Sequence, residues 1–244
     1  MIEIDFMEIN RDSLLNWANE TAAAYVVLAK QYDLGFYTQS DLTKISQSPK
    51  IVIIGINGGS DGSYTDQINN PGWMLDGEDL LGTDLIKGNY FKDEKGVSEW
   101  DKRETWTYFK RLKDYFRNVI PYNPLNDESK FVLTNMSFFN TAKAKQHSNE
   151  LFDKTLIFTI QLIDVLKPAR IVFLSGKEAF SRLDRYKKTN SNFKFSYDKK
   201  EGSLLKGEIN GIPCIGVPHP SAHLKTEQRE NVRNFITEFM GSLS

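Results

Sequence analysis

Short apolar runs, most of them rich in β-branched residues, recur along the chain without the alternation of a half-exposed strand. Four stand out, at 51–54, 131–133, 171–174 and 212–217. Unbroken apolarity over a few residues is typical of strands buried on both faces of a sheet that helices cover. The pattern therefore predicts four strands of one mainly parallel sheet.

Helical periodicity fills most of the intervals around these runs. It predicts helices at 12–32, 103–119, 148–166 and 226–240, with Ser148 as an N-cap and Trp106 on the apolar face of the second helix. The alternation of strands and helices predicts an α/β fold, a three-layer α/β/α sandwich around a central four-stranded sheet. Residues 1–244 form one domain, with 1–45 as an N-terminal helical extension packed on it, and 187–198 is a hairpin or surface excursion.

Composition excludes several classes of protein. A chain of 244 residues with 40% hydrophobic residues can bury a substantial core. Thirty-one basic and 32 acidic residues leave a net charge of -1, which gives no bulk electrostatic argument for a nucleic-acid or membrane partner. The single cysteine excludes an internal disulfide, an all-thiolate zinc site and a multi-cysteine iron–sulfur cluster. With no signal peptide and no membrane span in the pattern, we expect a soluble, cytoplasmic monomer.

In a parallel sheet covered by helices, ligands bind beyond the carboxyl ends of the strands. The positions to inspect therefore follow residues 54, 133, 174 and 217. The third of these ends, Ser175-Gly176-Lys177, offers only a turn into the next helix and receives no role. The long irregular region 57–102 is of a kind that is often functional in compact domains.

The first strand end is rich in glycine, reading Gly-Ile-Asn-Gly-Gly-Ser at 55–60. Glycines let the backbone approach a ligand closely, and consecutive N–H groups can form an anion nest. The segment matches neither the P-loop nor the G-x-G-x-x-G fingerprint. A tight turn that leaves a strand is the simpler interpretation of this segment alone.

Two further strand ends carry polar side chains. Asn135 follows the second strand, where an amide can read a nucleobase edge or satisfy local backbone groups. His219 lies between Pro218 and Pro220, which stiffen the chain around the imidazole. That histidine suits catalysis or a structural hydrogen bond, and a zinc site with His223 is disfavoured because no carboxylate stands at a suitable offset.

The three motifs, in this order, resemble those of the uracil-DNA glycosylase superfamily. Gly-Ile-Asn-Gly-Gly at 55–59 is similar to the Gly-Ile-Asn-Pro-Gly of the mismatch-specific and thymine glycosylase branch, and His-Pro-Ser at 219–221 is similar to a motif of most other branches. Thr-Asn at 134–135 completes the set. The likeness covers residues 50 to about 240 and implies the fold of that superfamily.

The resemblance implies roles residue by residue. Asn57 would position the water that attacks C1′ of deoxyribose, Asn135 would bind the flipped base, and His219 would stabilise the departing base anion. Base contacts are also implied for Ile56 and an aromatic, for which Trp73 is the choice over Tyr64 and Phe91. The resemblance implies a DNA-phosphate contact for Ser221. Further candidates for phosphate contacts are Gly58, Gly59 and Ser60 in the glycine-rich segment, and Lys143 and Lys225, which form either a basic DNA face or ordinary solvated surface.

The expected function is therefore a DNA glycosylase that removes uracil or a related deaminated or mismatched base, with DNA as partner and with no cofactor, metal or iron–sulfur cluster. Two alternatives stay open. One is an inactive member of the superfamily that binds nucleic acid or a nucleobase, and the other is an enzyme acting on small nucleosides.

Overall fold

The computed structural model describes residues 7–59, 62–73, 75–89, 91–141, 148–199 and 203–241. Within these ranges six strands form one sheet, and their bounds are β1 Ile51–Gly55, β2 Phe131–Asn135, β3 Ile171–Leu174, β4 Phe195–Lys199, β5 Leu205–Ile209 and β6 Ile212–Val217. All four strands that the apolar runs predict are present. The α/β class is confirmed.

The sheet has the order β2-β1-β3-β6-β5-β4. The first four strands in this order are mutually parallel, while β5 pairs antiparallel with β6 and with β4. The predicted four-stranded sheet therefore lacks the antiparallel hairpin that β4 and β5 form. Its strands alternate polar with apolar residues at a surface edge, so they lack the unbroken apolarity by which the other four were found.

The part of the chain that the structure describes has seven α-helices, with bounds α1 Arg11–Tyr32, α2 Tyr64–Asn69, α3 Gly82–Leu85, α4 Thr107–Tyr115, α5 Asn149–Leu166, α6 Gly176–Thr189 and α7 Thr226–Gly241. The Ser148 hydroxyl caps α5 by accepting from the N–H of Leu151, as predicted. The helix predicted at 103–119 is wrong in extent, because 101–105 form a separate 3₁₀ turn. Trp106 precedes α4 instead of lying within it.

Two apolar clusters cover the two faces of the sheet. In β1, Val52 and Ile54 belong to one cluster and Ile51 and Ile53 to the other, because successive strand side chains point to opposite faces. Helices α1, α5 and α6 contribute to the first cluster, and α4 and α7 to the second. This places helices on both faces of the sheet.

Three irregular segments lie in succession beside the β2 edge of the sheet and are joined by hydrogen bonds. The N–H of Ser40 donates to Leu133 O at 3.0 Å, and the Ser40 hydroxyl accepts from the N–H of Leu133 at 2.8 Å. The N–H of Asn89 then donates to Gln39 O at 3.2 Å, and the N–H of Trp100 donates to Asn89 O at 2.9 Å. The order outward from β2 is therefore 36–40, then 89, then 100.

No helix in the described ranges combines the length and apolarity needed to cross a bilayer.

Candidate functional site

A cavity of about 600 Å³ lies at the carboxyl ends of the parallel strands. Its walls include residues that follow all four of them: Asn57 after β1, Asn135 at the end of β2, Ser175 after β3 and His219 after β6. The chain leaves β1 toward β2 and leaves β3 toward β6, so strand order reverses between β1 and β3. This is the place where sheets of this kind bind ligands.

Asn57 is fixed in place through its amide nitrogen. Its Nδ2 donates to the backbone O of Thr141 at 2.8 Å, lies 2.7 Å from the Thr141 hydroxyl, and lies 2.8 Å from Gly58 O. No hydrogen bond to a described residue involves its Oδ1. The side chain therefore presents a held amide whose oxygen is available as an acceptor.

Asn135 is only 7% exposed and lies directly beside the backbone of the first strand end. In the amide orientation that satisfies its hydrogen bonds, its nitrogen donates to Asn57 O at 3.1 Å and to Thr134 O at 3.3 Å. Gly55 makes this approach possible, since a Cβ there would come within 2.5 Å of the Asn135 amide. The glycine that ends β1 thus has a packing reason within the chain itself.

His219 is held as a neutral hydrogen-bond donor. Its Nδ1 accepts from the N–H of Ser221 at 3.2 Å, so in the neutral ring the proton resides on Nε2. The ring stacks on Tyr108, with centroids 5.3 Å apart and planes 24° from parallel. Burial lowers the pKa of His219 below its ordinary value.

The Tyr108 ring covers one face of the imidazole, and removing it should be measurable in the titration of the histidine. Tyr108→Leu should raise the pKa of His219 toward 6.5, because a smaller side chain admits water to the imidazolium. Tyr108→Phe keeps the stack and should leave the pKa low. NMR titration of the imidazole signals measures both variants against the wild type. An equal pKa in the wild type and Tyr108→Leu contradicts this assignment.

The aromatic residues on the cavity are not those expected from the sequence. Trp73 is not among the described residues that line the cavity; it packs against Tyr37, with centroids 6.1 Å apart, and against Phe91 at 5.9 Å. Tyr37 itself lines the cavity, as do Trp106 and Tyr108. Trp106 was predicted on the apolar face of the second helix; it precedes α4, packs against the second apolar cluster and also lines the cavity.

The glycine-rich loop is held by the segment that follows β2. The N–H groups of Met136, Ser137 and Thr141 donate to Gly55, Ile56 and Gly58 in turn. Ile56 and Gly59 line the cavity, and a Cβ on Gly59 would meet nothing within 4 Å. Gly58 is buried, and a Cβ there would collide with the Asn140 amide. A packing requirement therefore accounts for Gly58.

The expected phosphate contacts divide into three groups. Ser221 lines the cavity and is exposed. Lys225 is exposed but is not among the described lining residues, and its N–H donates to Gln228 Oε1 at 3.0 Å. Ser60 and Lys143 lie outside the described residues.

Ser175, to which the sequence analysis assigned no role, lines the cavity in a left-handed conformation, with φ 61° and ψ 42°. Few residues other than glycine adopt this conformation, and it recurs at functional turns. The strain was invisible in the sequence because serine is common in turns of every kind.

Four polar residues on the cavity were also missed: Gln39, Asn89, Glu99 and Glu178. Glu99 pairs with Lys102 at 2.8 Å and Glu178 pairs with Arg182 at 2.8 Å. Asn89 comes from the long irregular region that was expected to be functional, but nothing in its immediate sequence distinguishes it. Only the pairing of the segments beyond β2 brings it to the site.

Among the described residues, no group of three or more His, Cys, Asp or Glu side chains could hold a metal ion. Neither a scan against protein-family models nor a search of curated proteins returned a match.

Proposed function

We propose that this protein is a DNA glycosylase, which hydrolyses the N-glycosidic bond of a deaminated or mismatched base in DNA. The observation that carries the proposal is the convergence of Asn57, Asn135 and His219 on one cavity. They come from three distant parts of the chain, at the ends of three strands. The motif order that resembles the uracil-DNA glycosylase superfamily supports the same conclusion.

The reaction replaces the bond from C1′ to the base nitrogen with a bond from C1′ to a water oxygen. As the bond to the base breaks, the sugar becomes cation-like and negative charge builds on the base. The base leaves as an anion that takes up a proton, and the water loses one, so no oxidant or cofactor enters the balance.

His219 suits the stabilisation of the departing base. A neutral imidazole with its proton on Nε2 donates one hydrogen bond, and burial keeps it neutral at physiological pH. A donor fixed in a dry site costs no reorganisation when the charge develops. The Pro218 and Pro220 positions on either side limit how far the ring can shift.

Asn57 suits the placement of the water. Its nitrogen is committed to Thr141, which leaves Oδ1 to accept a hydrogen bond from the water and to orient a lone pair toward C1′. Because a cation-like sugar is strongly electrophilic, orientation contributes more than deprotonation. An amide is therefore sufficient.

The target base must leave the duplex before it can enter the cavity. About 600 Å³ falls within the range of small-molecule sites and accommodates a base with its deoxyribose. The rings of Tyr37, Trp106 and Tyr108 on its walls offer stacking surfaces to a flat base. Ser221 and Gly59, both exposed, offer a hydroxyl and a backbone N–H to the DNA strand at the rim.

The direct test is alkaline cleavage of end-labelled oligonucleotides that carry a single uracil, hypoxanthine or xanthine, in single and double strands. The proposal predicts strand cleavage at the modified position, since abasic sites break in alkali, and no cleavage of the same sequence carrying thymine opposite adenine. Binding without cleavage, or cleavage of free deoxyuridine with intact oligonucleotides, contradicts it.

A further inference from the structure

Helix α4 holds the histidine loop at two points. The Tyr108 ring stacks on the imidazole of His219, with centroids 5.3 Å apart, and the Tyr115 hydroxyl donates to the backbone O of His219 at 3.5 Å. The two tyrosines are seven residues apart, so they lie on the same face of the helix. Tyr108 also lines the cavity. The first turn of α4 therefore belongs to the wall of the cavity that carries His219.

The hydroxyl of Tyr108 has no partner within the part of the chain that the structure describes. The residue is partly buried, and its contact with His219 is made by the ring, while no hydrogen bond joins its oxygen to a described residue. The oxygen is not among the enclosed polar atoms of the described residues that lack a partner, so it keeps some accessible surface. Because Tyr108 lines the cavity, a molecule bound there can reach this hydroxyl.

The stacked geometry keeps the phenol and the imidazole from satisfying each other. The two ring planes are 24° from parallel. The polar atoms of both rings form their hydrogen bonds near the plane of the ring, so neighbours in a stack do not pair. Nδ1 of His219 already accepts from the N–H of Ser221. Two donors, the Nε2 proton and the phenolic proton, are thus left on one wall of the cavity.

The electrostatics of the cavity favour neutral donors of this kind. Among the described residues that line it, none is Lys or Arg. Negative charge that develops on a bound molecule therefore meets no full positive charge on the described wall, and fixed neutral donors are the groups that can stabilise it. Burial raises the pKa of the Tyr108 phenol well above its ordinary value. The hydroxyl accordingly keeps its proton and remains a donor at physiological pH.

We infer that the Tyr108 hydroxyl is a second hydrogen-bond donor to the departing base, acting beside Nε2 of His219. The inference rests on the proposed function. The phenol donates a hydrogen bond and keeps its proton, so the balance of the hydrolysis is unchanged. Two donors from near-parallel rings can bond one anionic oxygen or two neighbouring acceptor atoms of the base. Tyr108 then has two separable roles, because its ring positions the imidazole and its hydroxyl contacts the base.

Single-turnover base release from oligonucleotides carrying one uracil, 5-fluorouracil, hypoxanthine or xanthine tests the inference. Tyr108→Phe keeps the stack and removes the hydroxyl. It should slow release roughly 10- to 100-fold, the loss expected for one hydrogen bond to a charged group, with the affinity for DNA within about 3-fold of wild type. Tyr108→Leu should be slower still, since the ring that positions His219 is also lost.

The leaving group supplies a readout that a structural defect would not move. Fluorine itself stabilises the departing base anion, so Tyr108→Phe should slow the release of 5-fluorouracil less than that of uracil. A variant that is merely misfolded slows the two equally. The ratio of the two rates does not depend on the fraction of folded protein, and thermal melting measures that fraction separately.

Tyr122→Phe is the matched control, since Tyr122 is 39% exposed and is not among the described residues that line the cavity. It should leave every rate within about 2-fold of wild type. Tyr108→Phe as fast as wild type, or an equal loss for uracil and 5-fluorouracil, overturns the inference while the glycosylase proposal stands. Failure of the wild-type protein to release any of these bases overturns both.

Discussion

His219→Ala is expected to lower the single-turnover rate of base release roughly 100- to 1000-fold, the loss typical when one preorganised donor to a developing anion is removed. The neutral ring contributes its Nε2 proton only at the transition state, where charge collects on the base. The effect should therefore appear in the rate at saturating enzyme, with little change in the affinity for DNA. Quenched-flow or manual time courses with excess enzyme measure the rate.

His223→Ala provides the control for this prediction. His223 belongs to the same loop but is exposed, and it is not among the described residues that line the cavity. Its removal should leave the rate within about 3-fold of wild type. Equal losses in the two histidine variants indicate that the loop, and not the stacked imidazole, sets the rate.

Asn57→Ala should slow base release about 100-fold, because the attacking water loses its orientation. The more informative variant is Asn57→Asp. A carboxylate is the stronger base, yet here it would face the backbone O of Thr141, to which Asn57 now donates at 2.8 Å. Repulsion between two acceptors should turn the side chain away from the water, so aspartate should not restore the rate at neutral pH.

The rates of both Asn57 variants are compared with that of Asn118→Ala in the same single-turnover assay, because Asn118 is exposed and is not among the described residues that line the cavity. An Asn57→Asp variant as fast as wild type, or faster, would show that the reaction needs deprotonation of the water. Such a result would reassign the role of Asn57 while leaving that of His219 intact.

The sequence allowed us to predict the site residues that lie at the carboxyl ends of the parallel strands. Apolar runs such as 51–54 show where strands end, and a parallel sheet brings those ends to one edge. Asn57, Asn135 and His219 were assigned to that edge on this reasoning, and all three line the cavity. Unbroken apolarity is a strong signal because both faces of these strands are buried.

The rest of the site comes from segments whose geometry depends on long-range pairing. Gln39 and Asn89 reach the cavity through backbone bonds beyond β2, and no local pattern encodes a pairing between residues 50 positions apart. The choice of Trp73 as the stacking aromatic shows the same difficulty. Its ring packs behind Tyr37, which comes from the N-terminal extension. Composition identifies the region 57–102 as unusual, but it does not indicate which aromatic ring faces the cavity.

The contacts of the glycines also depend on distant parts of the chain and could not be predicted from the local sequence. The sequence suggested that Gly55 and Gly58 allow a ligand to approach the backbone, but both accommodate side chains of the protein itself, Asn135 and Asn140. Gly59 is the member of the loop whose surroundings are open. The contact with DNA proposed for this loop therefore depends chiefly on Gly59.

The most direct test of the central claim is the intact mass of an oligonucleotide carrying one modified base, measured before and after incubation with the protein. If Asn57, Asn135 and His219 form a hydrolytic site, the mass falls by that of the base and rises by that of one water, and an Asn57→Ala/His219→Ala double variant leaves it unchanged. An unchanged mass with wild-type protein, across uracil, hypoxanthine and xanthine, or equal loss with the double variant, would contradict the account.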